Sequence, residues 1–256
     1  MNNKIIHYCW FGGGEKGELI SRCMKTWKKY LPDYEIREWT DKDVEHIDND
    51  YVREAFQNEK WAFVSDYMRL YALYEFGGIY LDTDVEIRKN IDEFLDLDFF
   101  SCFEYRENSS ECFPISALMG ARKGERIIGD LLDIYSNKHF VKDDGSFDMT
   151  PNTVLISKYF EDEFGIKLPY NKNEQLELKE NSVIFPYYYF CTDVDDKAYA
   201  VHHFSGSWKK KSWRLFRNDS FELFVAKNSY LRNVSSNRVK FKFKIFRNRN
   251  LVLVRR

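Results

Sequence analysis

The chain has 256 residues, with 39 Lys/Arg against 41 Asp/Glu and a formal net charge of −2. That length supports one substantial core without requiring a second full domain. No apolar run approaches the roughly 18 to 20 residues of a membrane-crossing helix. The 17 Tyr, 22 Phe and 6 Trp favour a large mixed core and stacking surfaces. Five scattered cysteines (Cys9, Cys23, Cys102, Cys112, Cys191) include no Cys-x-x-Cys pair, which argues against a zinc ribbon or redox motif. Their odd number argues against a closed disulfide framework, so reduced thiols are expected.

The charge is unevenly spread. From Ser207 to Arg256 there are 15 Lys/Arg against two acids, Asp219 and Glu222, a surplus of +13 that leaves −15 on residues 1–206. A basic tail interleaved with Phe, Leu and Val suits an anionic surface. A nucleic-acid partner is not expected, because the rest of the chain is acidic and carries no recognisable binding module.

In chain order, Ile5–Phe11 reads as a buried first strand, entered from Met1-Asn-Asn-Lys4 with no signal-peptide core, which leads to the expectation of a cytoplasmic protein. Gly12 to Gly14 form a turn, and a helix follows over Leu19–Tyr30 with Leu19, Cys23 and Trp27 on one face. Pro32 ends it, and Tyr34–Trp39 alternates as a second strand. Asp41–Asn58 is charged and partly helical. The next helix, Trp61–Phe76, stops at Gly77 and gives way to the strand Ile79–Leu81. Asp82 and Asp84 follow, and Val85–Ile87 is again extended. Further strands are expected at Phe99–Phe103, Ile115–Gly120 and Val183–Pro186, with helices near Glu125–Ser136 and Pro151–Phe164. Strands alternating with helices, and no internal repeat, indicate a single α/β domain with a mostly parallel sheet.

Asp-x-Asp spacing is common in so acidic a chain; it recurs at Asp41/Asp43, Asp48/Asp50, Asp96/Asp98 and Asp193/Asp195. Only at Asp82/Asp84 do the preceding apolar residues carry the pair into the fold. Buried carboxylates are costly unless paired or metal-bound, and hard oxygen ligands suit Mg2+ or Mn2+ shared with phosphate oxygens. Asp66 and Arg69, three residues apart, share a face of the preceding helix. In His202-His-Phe-Ser-Gly-Ser-Trp208, adjacent histidines point to opposite faces of a strand, so one of His202 and His203 is expected as a third metal ligand. Glu104, Glu107 and Glu111 read as a solvated loop rather than a glycosidase acid pair. Gly12-x-Gly14-x-x-Gly17, with Asp41 after the next strand, formally matches a dinucleotide fingerprint. This makes a nucleotide-cofactor oxidoreductase the main rival reading, beside a non-catalytic sugar-nucleotide-binding protein.

Four ordered segments resemble a known family. Lys4–Gly12 (Lys-Ile-Ile-His-Tyr-Cys-Trp-Phe-Gly), Trp27–Ile36, Ala62–Arg69 and Tyr74–Asp84 resemble glycosyltransferase family thirty-two, in its bacterial capsular and surface polysaccharide branch, and His202–Trp208 resembles that family's closing motif. The resemblance implies a GT-A-like fold, with a catalytic domain over 1–210 and a basic extension over 211–256. It also implies a nucleotide-diphospho-sugar donor (UDP-sugar foremost), Mn2+ or Mg2+, and transfer of a hexose with retention of configuration. The acceptor would be a surface glycan or lipid-linked glycan, reached at the inner face of the plasma membrane. Carried over by motif, Asp66 and Arg69 would hold the ribose and donor sugar, Asp82 and Asp84 the ribose and metal, with Tyr80 beside the donor. Ser207 and Trp208 would close over the diphosphate, and Tyr8 to Trp10 would line the base pocket. Ser116-Ala117 and Thr150-Pro151-Asn152 depart from the family pattern in regions expected to touch donor sugar or acceptor.

Overall fold

The computed structural model describes residues 3–105, 112–115, 117–167 and 169–206, and the backbone of 241–245 and 251–255. Met1–Ser205 and Gly206–Arg256 form separate compact units. In the first, the elements run β1 (Ile5–Cys9), α1 (Glu18–Tyr30), β2 (Glu35–Trp39), α2 (Asp41–Val44), α3 (Asp50–Gln57), α4 (Trp61–Phe76), β3 (Gly78–Leu81) and β4 (Val85–Ile87). A short 3-10 turn, Asp92–Phe94, leads to β5 (Phe99–Cys102), β6 (Glu104–Tyr105), β7 (Cys112–Phe113), β8 (Leu118–Ala121) and α5 (Arg126–Asp133). The unit closes with α6 (Asn152–Phe164), β9 (Leu176–Glu177), β10 (Ser182–Phe185), α7 (Tyr187–Phe190) and β11 (Ala200–His202).

Among the described residues the main sheet has seven strands in the order β2-β1-β3-β8-β5-β10-β9. β2, β1 and β3 are parallel neighbours and β5 pairs parallel with β10, while β8 runs against both β3 and β5 and β9 runs against β10. Five strands therefore share one direction. This is the mostly parallel, helix-flanked α/β architecture expected of a GT-A-like domain.

Both faces of the sheet are covered, which is why β1, β3, β5 and β8 are almost continuously buried. One face carries Tyr51 and Val52 of α3, Met68 and Leu73 of α4, Ile128 and Leu131 of α5, and Phe160 of α6. The other carries Trp27 of α1, Phe94 and Phe190. Trp27 is fully buried; truncating such a side chain to Ala costs about 3–5 kcal/mol. The buried stripe of α1 is Ile20, Cys23 and Trp27, rather than the Leu19, Cys23 and Trp27 expected. Steps of three and four follow the 3.6-residue period, whereas two successive steps of four drift off the face.

The join between α4 and β3 fixes the site. Gly77 caps α4, its N–H reaching Leu73 O at 2.8 Å, and Gly77 and Gly78 have φ of 65° and 101°. A Cβ on Gly78 would lie 2.6 Å from Ile5 O, and one on Gly77 2.6 Å from Lys123 N. Only glycine permits both the left-handed turn and the close approach of the strands. The carbonyl of Gly77 accepts from Nε2–H of fully buried His7, 2.9 Å away, and Trp39 Nε1–H donates to His7 Nδ1 at 3.2 Å. A neutral His7 thus satisfies both nitrogens. Burial is the main cause holding its pKa down at about 4.

In the second unit, β12 (Phe241–Ile245) and β13 (Leu251–Arg255) form an antiparallel ladder pairing Phe241 with Arg255 and Ile245 with Leu251. The alternating segment of the tail is thus extended where it is described. Among the described residues no helix is long and apolar enough to cross a membrane.

Candidate active site

Alternation in β3 sends Ile79 and Leu81 to the α1 side and Tyr80 to the α4 side. The strand ends at Leu81, where Asp82 N donates to Ala117 O at 2.9 Å. Val85 N then donates to Asp82 O at 3.0 Å, closing a tight turn over residues 82–85. The two aspartates therefore sit on a turn between β3 of the main sheet and β4 of a small second sheet, not on one continuous strand. Trp27 Nε1–H donates to Val85 O at 2.7 Å and Ile87 N to Thr26 Oγ1 at 2.9 Å, so α1 anchors the far side of the turn.

β11 brings in the third group. It pairs antiparallel with β4, His202 opposite Val85, and His203 N donates to Asp84 O at 3.1 Å. His202 Nε2 lies 3.5 Å from Asp84 Oδ1, with the two side chains 10% and 9% exposed. Beyond β11, Phe204 adopts a φ of 49°, uncommon for a bulky residue. The chain there turns back so that Ser205 N donates to Asp84 Oδ2 at 2.6 Å. Phe204 also lies over the His202 ring, centroids 3.9 Å apart. Burial raises the Asp84 carboxyl, but the His202 and Ser205 hydrogen bonds outweigh it and hold it well below the usual carboxylate range. Burial likewise lowers His202, yet Asp84 pushes it up to about 10.

On the other side of the turn, Tyr80 O–H donates to Asp82 Oδ1 at 3.0 Å. Arg69 Nη2 lies 3.5 Å from Asp82 Oδ1 and 3.2 Å from Asp66 Oδ1, and its guanidinium stands over the Tyr80 ring at 4.8 Å. Burial, offset by Arg69 and reinforced by Asp82, pushes the Asp66 carboxyl up to about 6. Asp66, Arg69, Tyr80, Asp82, Asp84 and His202 thus form one continuous polar cluster.

Asp82, Asp84 and His202 each offer a ligand atom, all within 4.8 Å of one another. Two carboxylate oxygens and an imidazole suit Mn2+ or Mg2+. The His202 ring turns Nε2 toward Asp84 and leaves its buried Nδ1 on the opposite edge without a hydrogen-bond partner. These residues fit a divalent cation.

His203 points away. The first residue beyond β11, it has its Nε2–H donating to Glu86 Oε2 at 2.8 Å; the metal role expected for one of the two histidines is open geometrically to His202 and not to His203. Tyr8 is buried, its O–H donating to Glu38 Oε2 at 2.7 Å, and Trp10 Nε1–H donates to Gly14 O at 2.6 Å. Neither touches the cluster through these bonds. Ser207, Trp208 and Ser116, like Glu107 and Glu111, lie outside the described residues. Glu104, read from the sequence as solvated loop, is instead partly buried, its Oε2 3.8 Å from His202 Nδ1. Ser205 was also missed, although it lies within the segment that closes on Trp208.

The glycine loop has a structural account. Gly12 N donates to Asp41 Oδ1 at 2.9 Å, so the acid that would bind a ribose is engaged by the loop itself. The φ of Gly12 is 78°, and a Cβ there would meet the Trp61 ring at 2.8 Å. The oxidoreductase reading is not favoured.

Residues 17–100 match the family described as "Glycosyltransferase sugar-binding region containing DXD motif". Among curated relatives, "Inositol phosphoceramide mannosyltransferase 3" of Schizosaccharomyces pombe is 33% identical over 99 residues, spanning 36% of this chain and 27% of that protein. "Uncharacterized glycosyltransferase L373" of Acanthamoeba polyphaga mimivirus is 24% identical over 252 residues, 88% of this chain and 92% of that one. Residues 17–100 thus carry a sugar-binding region of the Asp-x-Asp glycosyltransferase type, and the chain spans about a quarter of the length of the first of these relatives. Similar solved structures include "PaToxG Glycosyltransferase", at 20% identity and a TM-score of 0.45, covering 64% of this chain and 70% of that one. A glycosyltransferase "involved in the glycosylation of the major capsid of PBCV-1" is 12% identical at a TM-score of 0.45, covering 80% and 94%.

Proposed function

We propose that the protein is a divalent-cation-dependent, retaining hexosyltransferase that uses a nucleoside-diphospho-sugar, foremost a UDP-sugar. The observation that carries this reading is the Asp82–Asp84–His202 cluster beside the Asp66–Arg69 pair. Asp82, Asp84 and His202 would hold the cation, which when bound supplies charge neutralisation for the leaving diphosphate. Arg69, fixed between two carboxylates, would present its fork to donor oxygens, with Asp66 accepting from donor hydroxyls. Tyr80 orients Asp82 through its hydroxyl.

Retention would proceed by front-side attack, the leaving phosphate taking the acceptor's proton. This route asks the protein for positioning more than for a strong base, which matches a site built of grips. The acceptor would be a surface-polysaccharide or lipid-linked glycan of a bacterial cell. The +13 tail would hold the enzyme at the anionic cytoplasmic leaflet, which makes the working place peripheral and cytoplasmic.

The test is a thermal-shift screen of UDP-, GDP- and CMP-sugars with and without Mn2+, followed by donor hydrolysis on the best. A sugar nucleotide that stabilises the protein only with Mn2+ and is slowly hydrolysed supports the reading. Stabilisation without any turnover would make the protein a sugar-nucleotide binder, and stabilisation by NAD alone would overturn the assignment.

A further inference from the structure

We propose that Glu104 is a positioning residue for His202, accepting the Nδ1–H of the imidazole so that Nε2 stays turned toward Asp82 and Asp84. The inference rests on the cation site proposed above and adds a residue on the far side of its histidine.

The His202 ring is held from several directions. Nε2 faces Asp84, Phe204 covers one face of the ring, and the backbone N–H is tied to Cys191 O at 2.9 Å. Nδ1 has no hydrogen-bond partner although it is buried, and Glu104 Oε2 stands 3.8 Å away. The backbone of Glu104 is fixed, since β6 pairs with β7 and places Glu104 opposite Phe113. Cys191 Sγ lies 3.4 Å from Tyr105 O and also neighbours the His202 ring, where it favours the charged imidazole.

A hydrogen bond of this kind forms at 2.7–3.2 Å, so an approach of about 1 Å from the present 3.8 Å completes it. A carboxylate on the second ring nitrogen of a ligating histidine fixes the tautomer and the ring plane and raises the basicity of the ligating nitrogen. Glu104 would do so from the strand segment that follows β5.

The test uses the full chain and Mn2+ alone. Affinity is read by calorimetry and by the Mn2+ resonance signal for the wild type, Asp84→Asn, Glu104→Gln, Glu104→Ala and Cys191→Ala. Glu104→Ala is expected to weaken Mn2+ binding by about 10- to 100-fold. Glu104→Gln, which keeps an acceptor of the same shape, should fall in between, and Cys191→Ala should bind as the wild type does. Nitrogen-15 spectra of His202 with Mg2+ should show a single Nδ1–H tautomer that becomes mixed in Glu104→Ala. If Asp84→Asn loses Mn2+ while both Glu104 variants bind as tightly as the wild type, the positioning role is wrong and the cation site stands. A lower melting temperature for Glu104→Ala at unchanged Mn2+ affinity is the outcome of a merely structural residue, and it also overturns the proposal. A wild type that binds no Mn2+ removes the cation site and this inference together.

Discussion

Asp84 and His202 face each other across 3.5 Å in a nearly dry pocket, one on the turn after β3 and the other on β11. The β4–β11 ladder brings them together, and the backbone of the segment behind His202 closes over the same carboxylate. A buried pair of this kind carries specific geometric consequences.

Asp84→Asn is expected to lower turnover by a hundredfold or more, with a smaller loss for Asp82→Asn. A few kcal/mol of lost transition-state stabilisation suffices for that ratio. Asn keeps an acceptor for the Ser205 N–H, so the far-ultraviolet spectrum should be unchanged. Wild-type turnover in Asp84→Asn would remove the pair from the chemistry.

Arg69 is only 12% exposed and lies between Asp66 and Asp82. Arg69→Ala therefore lowers stability as well as activity. Removing one partner of a buried ion pair leaves its counterpart uncompensated and costs about 3–5 kcal/mol. The informative variant is Arg69→Lys, which keeps the charge and loses the bidentate fork. Donor kcat/KM should drop at least tenfold while the melting temperature moves by a few degrees. Unchanged kinetics would leave Arg69 a purely structural residue.

His202→Ala and His203→Ala separate the two histidines. Removing His202 should abolish Mn2+ binding measured by calorimetry. Removing His203 loses the contact with Glu86 and should lower the melting temperature with Mn2+ affinity within about twofold, well under the 1.4 kcal/mol that a tenfold change represents. The reverse pattern would transfer the metal role to His203.

His7 gives stability a pH dependence of known sign. Its pKa is about 4 in the folded protein against 6.5 when unfolded. The unfolded chain therefore takes up a proton first, and stability falls as pH drops from about 6.5 to about 4, levelling off below. The full loss from this group is about 3 kcal/mol. Asp66, raised to about 6, acts in the opposite sense over part of the range, so the readout is a difference. In urea unfolding from pH 7 to pH 4, the advantage of the wild type over His7→Gln should shrink steadily. A pH-independent difference would show that His7 is not held neutral.

Removing residues 232–256 should reduce sedimentation with liposomes containing anionic lipid, and wild-type binding should weaken with salt. Each basic residue near such a surface contributes about 1 kcal/mol, falling off within a Debye length. Equal binding by the truncated protein would eliminate a docking role for that segment.

Much of the frame is written locally. The run Trp61–Phe76 ending on Gly77-Gly78 is readable because helix length, capping glycine and strand pattern are short-range signals, and α4 and β3 lie where they indicate. Sequence alone likewise marks Asp82 and Asp84 out from four other Asp-x-Asp pairs, since only they follow a buried strand. What sequence does not determine is set by register and by chain return. That the aspartates sit on a turn between two sheets depends on the hydrogen bond from Val85 N to Asp82 O, which no spacing rule encodes. The choice of His202 over His203 depends on the pairing of β11 with β4, where a shift of one residue would exchange the two faces. Glu104 reads as loop because its environment is supplied by a strand almost a hundred residues later, and only the folded chain brings that strand to it. Local pattern determined the helix, the strand and the carboxylates; long-range pairing decided which side chains meet there, because the partners of a strand edge are chosen by the whole sheet.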